Sequence, residues 1–171
     1  MIIELFEKIY FSDVTSRNNI FDTTGAAIHG NISIVQAAAH QPPPNRVHIY
    51  NNTMYSPDTD NDFVGISIGS TVTNAVVRAN LAFAPRDTKG AMIEGTGAST
   101  AAVVANSNSM NLRLDPGFVG PLSSPPGFRL NPSSYARGVI QGSLSVDSSD
   151  FFGAGRPAES VFAIGAIESA R

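Results

Sequence analysis

A short strand-like segment, an asparagine and a second strand-like segment follow one another in the same order three times in this chain. The asparagine is Asn19 in the first copy, Asn52 in the second and Asn80 in the third, so the spacings are 33 and 28 residues. A weaker fourth copy covers residues 103–108. A unit repeating at this period is typical of a solenoid, in which each unit buries its apolar face by stacking on the next.

Asparagine suits the corner of such a coil for two reasons. Its short polar side chain tolerates the left-handed backbone that a sharp bend requires. Stacked on copies of itself, it can also hydrogen-bond along the stacking axis, as asparagines do in cross-β ladders. The alternative is a β-sandwich with ordinary hairpin turns, where asparagine is also common. Apolar positions recur with the asparagine, so the sequence predicts an all-β fold, a short parallel β-helix of about four to five coils.

Composition and charge argue against several kinds of partner, cross-link and targeting segment. The chain has 171 residues, of which 42% are hydrophobic and 15% charged, and its net charge is -3, which argues against a nucleic-acid partner. It contains no cysteine, so disulfides and thiolate metal sites are excluded. No apolar run approaches the ~20 residues that span a bilayer. The first residues carry charges within their apolar run, which is not the pattern of a signal peptide.

The chain is predicted to form a single domain over residues 1–171, with three parts. Residues 1–11 are expected to cover the first coil or to form an interface. Residues 12–113 hold the repeated coils, and residues 114–171 form an irregular C-terminal cap. Because eleven residues are few to cover the open end of a β-helix, we expect a homo-oligomer formed through that end. The residues expected at this junction are Ile3, Leu5, Phe6 and Ile9.

The last third of the chain departs from the repeat and carries two motifs. Residues 114–119 lead into residues 127–136, and residues 150–157 lead into residues 164–168. Together they resemble the "DP-x-F", "F-R-L-x-P-x-S-x-A" and "D-x-x-G-x-x-R-P … I-G-A-x-E" succession at the end of many right-handed parallel β-helix proteins of the pectate-lyase-like superfamily. The resemblance implies a right-handed coil, a carbohydrate partner and an extracellular or cell-surface location. Members with this ending usually have several more coils, so the chain resembles the C-terminal part of such a protein.

Four outward-facing residues are candidates for ligand binding. Strand alternation turns Arg17, Tyr50 and Arg78, each two residues before a corner asparagine, to the outside. They should stack ~5 Å apart, one per coil, with His48 beside them. Arginine pairs with carboxylates in a fork and tyrosine offers a flat face to a sugar, so this strip could bind a polysaccharide. The alternative is a cation–π stack that serves register and solubility.

Catalytic residues are harder to select from the sequence. Glycoside hydrolysis needs two carboxyl groups ~5 to 9.5 Å apart, for which Asp87 and Glu94 are candidates. Elimination by a lyase needs a lysine or arginine base, for which the candidates are Lys89, Arg86 and Arg78. No motif chooses among these candidates.

An acidic loop is the candidate metal site. Asp58, Asp60 and Asp62 have the alternate spacing of ligands to a hard cation, and the cofactor they would fit is a calcium ion. The spacing does not continue as an EF-hand, and a solvated polar loop is the alternative. No other cofactor is expected.

Two functions are consistent with these observations. The first is a non-catalytic, carbohydrate-associated or structural β-helix module, as part of a larger surface or polysaccharide-active protein. The second is a polysaccharide lyase or glycoside hydrolase acting on an acidic polysaccharide. The small number of coils favours the first, because a cleft for a polymer usually runs over more coils than this sequence contains.

Overall fold

The computed structural model describes residues 13–24, 31–36, 41–57, 63–95, 103–106, 108, 111–139, 149–156 and 162–168. Within these ranges the chain forms ten short strands and one turn of 3-10 helix, Pro125–Phe128. None of the described helical residues forms a segment long and apolar enough to cross a membrane. The strands are β1 (Thr15–Arg17), β2 (Ile20–Asp22), β3 (Ile32–Ile34), β4 (Asn45–Tyr50), β5 (Thr53–Tyr55), β6 (Val64–Ile68), β7 (Thr73–Arg78), β8 (Leu81–Phe83), β9 (Ala91–Gly95) and β10 (Val103–Asn106).

The ten strands form three parallel sheets. Sheet 1 has the order β1-β4-β7-β10, sheet 2 the order β2-β5-β8, and sheet 3 the order β3-β6-β9. Three successive strands therefore enter three different sheets, and the next strand returns to the first, as in a β-solenoid. The prediction of an all-β chain of stacked parallel strands is confirmed. A sandwich built from hairpins is wrong, because hairpins pair neighbouring strands in antiparallel fashion and all strand pairs here are parallel.

Sheet 3 agrees with the sequence in part. The sequence alternates at residues 64–69 and predicts strands there and at residues 91–95, and these strands are β6 and β9, in which Ile66 pairs with Ile93. The sequence also predicts a strand at residues 26–30, and these residues lie outside the described part of the chain. The strand that pairs with β6 in the first coil is β3, in which Ile32 lies opposite Ile66.

The core lies between the three sheets. Val47 and Ile49 of β4 and Ala75 and Val77 of β7 are fully buried, whereas the residues between them are partly exposed. This alternation follows from the pleat, which turns successive side chains to opposite faces. Apolar residues from sheets 2 and 3 meet them in a single cluster. Its members include Ile32, Ile34, Met54, Ile66, Ile68, Ala82 and Met92.

At each corner between sheets 1 and 2, one residue has the left-handed backbone and the residue after it forms the hydrogen-bonded ladder. The left-handed backbone belongs to Asn18, Asn51 and Ala79, with φ of 52°, 52° and 54°. The expectation that the repeat asparagines Asn19 and Asn52 take this conformation themselves was therefore wrong. The residue before each of them makes the bend, which leaves the repeat asparagine free to direct its amide along the stack.

The repeat asparagines form the expected ladder along the axis. The Nδ2 atom of Asn19 donates to Oδ1 of Asn52 at 3.0 Å, and Nδ2 of Asn52 donates to Oδ1 of Asn80 at 2.9 Å. Nδ2 of Asn80 continues to Oδ1 of Asn108 at 2.9 Å. Asn52 and Asn80 are fully buried. Because buried amides must be hydrogen-bonded, this ladder fixes the asparagine at the same place in every coil.

The described part of the C-terminal segment lies beside the coils, along the outer face of sheet 2. Tyr55 and Phe83 stack on adjacent strands with centroids 6.1 Å apart. Phe128 packs edge-on against Tyr55, and Phe118 packs edge-on against Phe83. The segment predicted as a C-terminal cap thus covers one side of the stack over several coils. A second cluster joins it to the corner: Ala79, Leu81, Leu130, Ala136, Phe162, Ala163 and Ile164.

The left-handed corner residues anchor this segment coil by coil. In the first coil, Nδ2 of Asn18 donates to the carbonyl oxygen of Ser149 at 2.9 Å. In the second, Nδ2 of Asn51 donates to the carbonyl oxygen of Gly165 at 3.3 Å. In the third, the backbone N–H of Gly165 donates to the carbonyl oxygen of Ala79 at 2.8 Å. The first residue of each corner therefore holds the segment, and the asparagine that follows it holds the coils together.

A buried ion pair completes the attachment. Arg156 donates to Oε2 of Glu168 at 3.1 Å and to Oδ1 of Asn18 at 3.1 Å. The backbone N–H of Glu168 donates to Oδ2 of Asp150 at 2.9 Å. Burial lowers the pKa of Arg156, and the carboxylates of Glu168 and Asp150 act in the opposite direction. The charged residues of the second C-terminal motif therefore form one structural network, which binds the segment to the first corner.

Candidate functional site

The four residues predicted to form a ligand-binding strip lie together on the outer face of sheet 1. Arg17 of β1 pairs in register with Tyr50 of β4, and Tyr50 pairs with Arg78 of β7. Neighbouring strands are ~4.8 Å apart, so the two guanidinium-bearing residues start ~10 Å apart with the tyrosine between them. His48 lies two residues before Tyr50 on the same face, opposite Val76. The sequence therefore predicted both the face and the register of this strip.

The strip has the electrostatic character expected of a surface for anions. Its three strands read TSR, NRVHIY and TNAVVR, and none of them contains an acidic residue. Arg17 is exposed, and His48, Tyr50 and Arg78 are partly exposed. The Nε atom of Arg78 is buried and has no hydrogen-bond partner in the described part of the chain. The described strands β1, β4 and β7 therefore contribute cationic and neutral side chains to this face and no carboxylate.

An ion pair lies at the entry to sheet 1, close to the strip. Arg46 Nε lies 2.6 Å from Asp13 Oδ1, and Arg46 Nη2 lies 2.8 Å from Asp13 Oδ2. The hydrogen bond from Arg46 holds the pKa of Asp13 below its ordinary value of 3.8. Both residues have positive φ, and they occupy equivalent positions in two successive coils. Asp13 and Arg46 thus form an exposed ion pair at the start of sheet 1.

The structure gives Asp87 a role in the fold. The residue is 3% exposed. Its Oδ1 accepts hydrogen bonds from the backbone N–H groups of Lys89 at 2.8 Å and Gly90 at 2.7 Å. Its Oδ2 accepts one from the backbone N–H of Phe63, in the coil before, at 2.6 Å. A carboxylate held by three backbone donors stabilises the loop, and these contacts account for its burial.

Two further catalytic candidates lie on the surface away from the strip. Glu94 is exposed on β9 of sheet 3, in register with Ser67. Lys89 is exposed in the loop before that strand. Sheet 3 is a different face of the stack from sheet 1, so these residues do not join Arg17, Tyr50 and Arg78 in one site.

The candidate calcium ligands Asp58, Asp60 and Asp62 lie outside the described residues. Among the residues that the structure describes, no group of three or more histidine or acidic side chains is placed to hold a metal ion.

Neither the aromatic contacts on sheet 2 nor the contact of Asn18 with the C-terminal segment was predicted from the sequence. The signal for the aromatics is present in the repeat. Tyr55 and Phe83 stand three residues after Asn52 and Asn80, so they share one outward position in successive coils. Two outward-facing aromatic rings on adjacent strands indicate that another part of the chain covers that face, because large exposed apolar surface is uncommon.

Comparison of the chain with protein-family models, with curated proteins and with solved structures finds no match. Its function is therefore inferred from the residues and contacts described above.

Proposed function

We propose that the protein is a non-catalytic β-helix module that binds an acidic polysaccharide on the outer face of sheet 1. We further propose that it is the C-terminal part of a right-handed parallel β-helix protein of the pectate-lyase-like superfamily, acting outside the cell or at its surface. The observation that carries the binding proposal is the register of Arg17, Tyr50 and Arg78 on three adjacent strands.

The spacing of these residues suits a polymer that runs along the stacking axis. The two arginines are two strand spacings apart, ~10 Å, and each can form a forked hydrogen-bonded pair with a carboxylate. Tyr50 lies between them and offers a ring face to the sugar between two bound carboxylates. Charge-assisted hydrogen bonds contribute about 1.5 to 3 kcal/mol each, so two such pairs are sufficient for measurable binding to a repeating polyanion.

The separation of the catalytic candidates supports a role in binding without catalysis. Glycoside hydrolysis needs two carboxyl groups ~5 to 9.5 Å apart on either side of the bond. Asp87 is occupied by three backbone donors, and Glu94 lies on sheet 3. The strands that carry the proposed binding face contain no carboxylate to act as an acid or a base.

Retention on immobilised polygalacturonate tests this proposal. We expect the double variant Arg17→Ala, Arg78→Ala to reduce retention at least about tenfold, since it removes two charge-assisted contacts. The double variant Arg86→Ala, Arg113→Ala is the matched control, because both side chains are exposed, lie away from sheet 1 and carry the same charge. Retention should also weaken as salt rises.

Equal losses in the two double variants would show attraction to the net charge alone and would refute the strip as a specific site. Release of unsaturated sugars, seen as a rise in ultraviolet absorbance, would replace the binding function with that of a lyase.

Self-association remains part of the proposal. Among the described strands, β1, β2 and β3 are the first of their sheets, and a strand edge that is left open tends to pair with another chain. Residues 1–11, which are expected to contact that end, lie outside the described residues. We propose a dimer through this end. Light scattering should give twice the chain mass of 18.0 kDa, and a monomer at all concentrations would refute it.

A further inference from the structure

Two phenylalanine rings and one arginine form an exposed group outside the strip. Phe151 and Phe152 are 40% and 41% exposed, and their rings are perpendicular with centroids 5.1 Å apart. The guanidinium carbon of Arg129 lies 4.6 Å from the centre of the Phe152 ring. Arg129 is exposed, and the described residues place no carboxylate against it. We call these three residues the aromatic platform.

The platform stands on a turn that the fold holds in place. Asp150 is 6% exposed, and its Oδ1 accepts hydrogen bonds from the backbone N–H groups of Phe152 and Ala154, both at 2.8 Å. The backbone N–H of Phe151 donates to the carbonyl oxygen of Ala166 at 2.9 Å. The backbone of both phenylalanines is therefore fixed, although their rings contribute only part of their surface to the core. Such a preorganised arrangement lowers the entropy lost on binding a ligand.

The platform lies close to the first-coil end of the strip. The carbonyl oxygen of Ser149 accepts a hydrogen bond from Asn18, the residue after Arg17. Phe151 follows Ser149 by two residues, so their Cα atoms are at most ~7 Å apart. A ligand that extends past Arg17 around this corner would therefore meet the turn that carries the rings.

The exposed area fits a small ligand better than a protein surface. A phenylalanine offers about 200 Å² to burial, so two rings that are ~40% exposed offer roughly 160 Å². A stable protein interface buries about 800 Å² on each partner. One sugar unit is comparable in size to the area that the two rings leave open.

We propose that Phe151, Phe152 and Arg129 form a second contact site for the same acidic polysaccharide, and this inference rests on the proposed function. The site takes one uronic acid unit. The ring hydrogens of the sugar pack on the electron-rich face of a phenyl ring, and its carboxylate pairs with Arg129. The polymer is then held at the strip and, around the first corner, at the platform.

The test is nuclear magnetic resonance of the whole ¹⁵N-labelled chain titrated with short oligogalacturonate. We expect shifts at two groups of backbone amides, residues 49–51 and 77–79 around the strip and residues 150–154 at the platform. In the variant Phe151→Ala, the second group should stop shifting while the first persists, and affinity should fall several-fold. Arg129→Gln should weaken binding of the acidic oligomer but not of its methyl ester. Leu114→Ala, which removes another exposed apolar side chain, is the control.

The outcomes separate the two proposals. Shifts confined to the strip, with unchanged affinity in Phe151→Ala, would overturn the platform and leave the strip in place. Shifts confined to the platform would overturn the strip as the main site and retain the platform. Shifts at residues 150–154 that depend on protein concentration without sugar would show a contact between copies and overturn the platform. An absence of any shift would overturn both proposals.

Discussion

Replacing Asn52 with alanine tests the asparagine ladder most directly. Its Oδ1 accepts hydrogen bonds from the backbone N–H and the Nδ2 of Asn19, at 3.2 and 3.0 Å. Its Nδ2 donates to the carbonyl oxygen of Ser16 at 3.0 Å and to Oδ1 of Asn80 at 2.9 Å. The variant Asn52→Ala removes all four of these hydrogen bonds from the middle of the stack.

The magnitude follows from which partners remain unsatisfied. The carbonyl oxygen of the buried Ser16 loses its side-chain donor, which costs about 1 to 3 kcal/mol. Asn19 is half-buried, so water replaces part of its lost acceptor and the loss there is about 1 kcal/mol. Oδ1 of Asn80 keeps the backbone N–H of residue 52 as a donor. The expected decrease in the free energy of unfolding is about 3 kcal/mol in total.

Denaturant titration and thermal unfolding measure this decrease. For a domain of this size, about 3 kcal/mol lowers Tm by roughly 6 to 12 °C. The matched control is Asn111→Ala, because Asn111 is exposed and its side chain accepts one hydrogen bond, from the backbone N–H of Arg113. We expect the control to stay within about 0.5 kcal/mol of the unmodified chain.

Equal unfolding midpoints for Asn52→Ala and Asn111→Ala would refute the ladder as a source of stability. A large loss for Asn52→Ala with none for Asn80→Ala would also contradict it, because the structure gives the two asparagines the same pattern of hydrogen bonds.

Three further predictions concern the attachment of the C-terminal segment, the buried Arg156–Glu168 pair and the exposed Arg46–Asp13 pair. Gly165→Ala should destabilise the chain by about 1 to 3 kcal/mol in denaturant titration. The reason is that φ of Gly165 is +94° and an added Cβ would lie 2.7 Å from Oγ1 of Thr53. An unchanged unfolding midpoint would contradict this close contact. Arg156→Ala should cost about 3 to 5 kcal/mol, because it removes the guanidinium that pairs with the carboxylate of Glu168. Arg156→Lys should not restore this stability, since a lysine cannot bridge Glu168 and Asn18 as the guanidinium does. Full rescue by lysine would refute the bridging role. Arg46→Met should raise the pKa of Asp13 towards 3.8 in a carbon-detected titration. The pKa of Asp13 is lower in the folded state than in the unfolded state. The pair therefore contributes to stability above the unfolded pKa, and this contribution is lost as pH falls through the folded pKa. A titration of Asp13 that does not change in Arg46→Met would contradict the pairing.

The sequence by itself determined the coils and the register of the strip. The spacing of Asn19, Asn52 and Asn80 equals the offset between paired strands, because a buried amide ladder permits one alignment and a shift by one residue would turn apolar side chains to the solvent. Once that alignment is known, the two-residue alternation of a strand places Arg17, Tyr50 and Arg78 on one outer face. The information is local and periodic, so it can be read without coordinates.

The tertiary structure decided everything that depends on contacts between distant and non-repeating residues. Asn18 and Asn19 are the same residue type, and only the direction of each side chain shows that one holds Ser149 and the other holds Asn52. From the sequence, Asp87 could be a catalytic acid or an acceptor of backbone hydrogen bonds. The backbone N–H of Phe63 in the neighbouring coil donates to it, so the structure shows that Asp87 is such an acceptor. The C-terminal segment has no period that fixes its partner. Its place beside sheet 2 results from the burial of Tyr55 and Phe83, which no local pattern in that segment encodes.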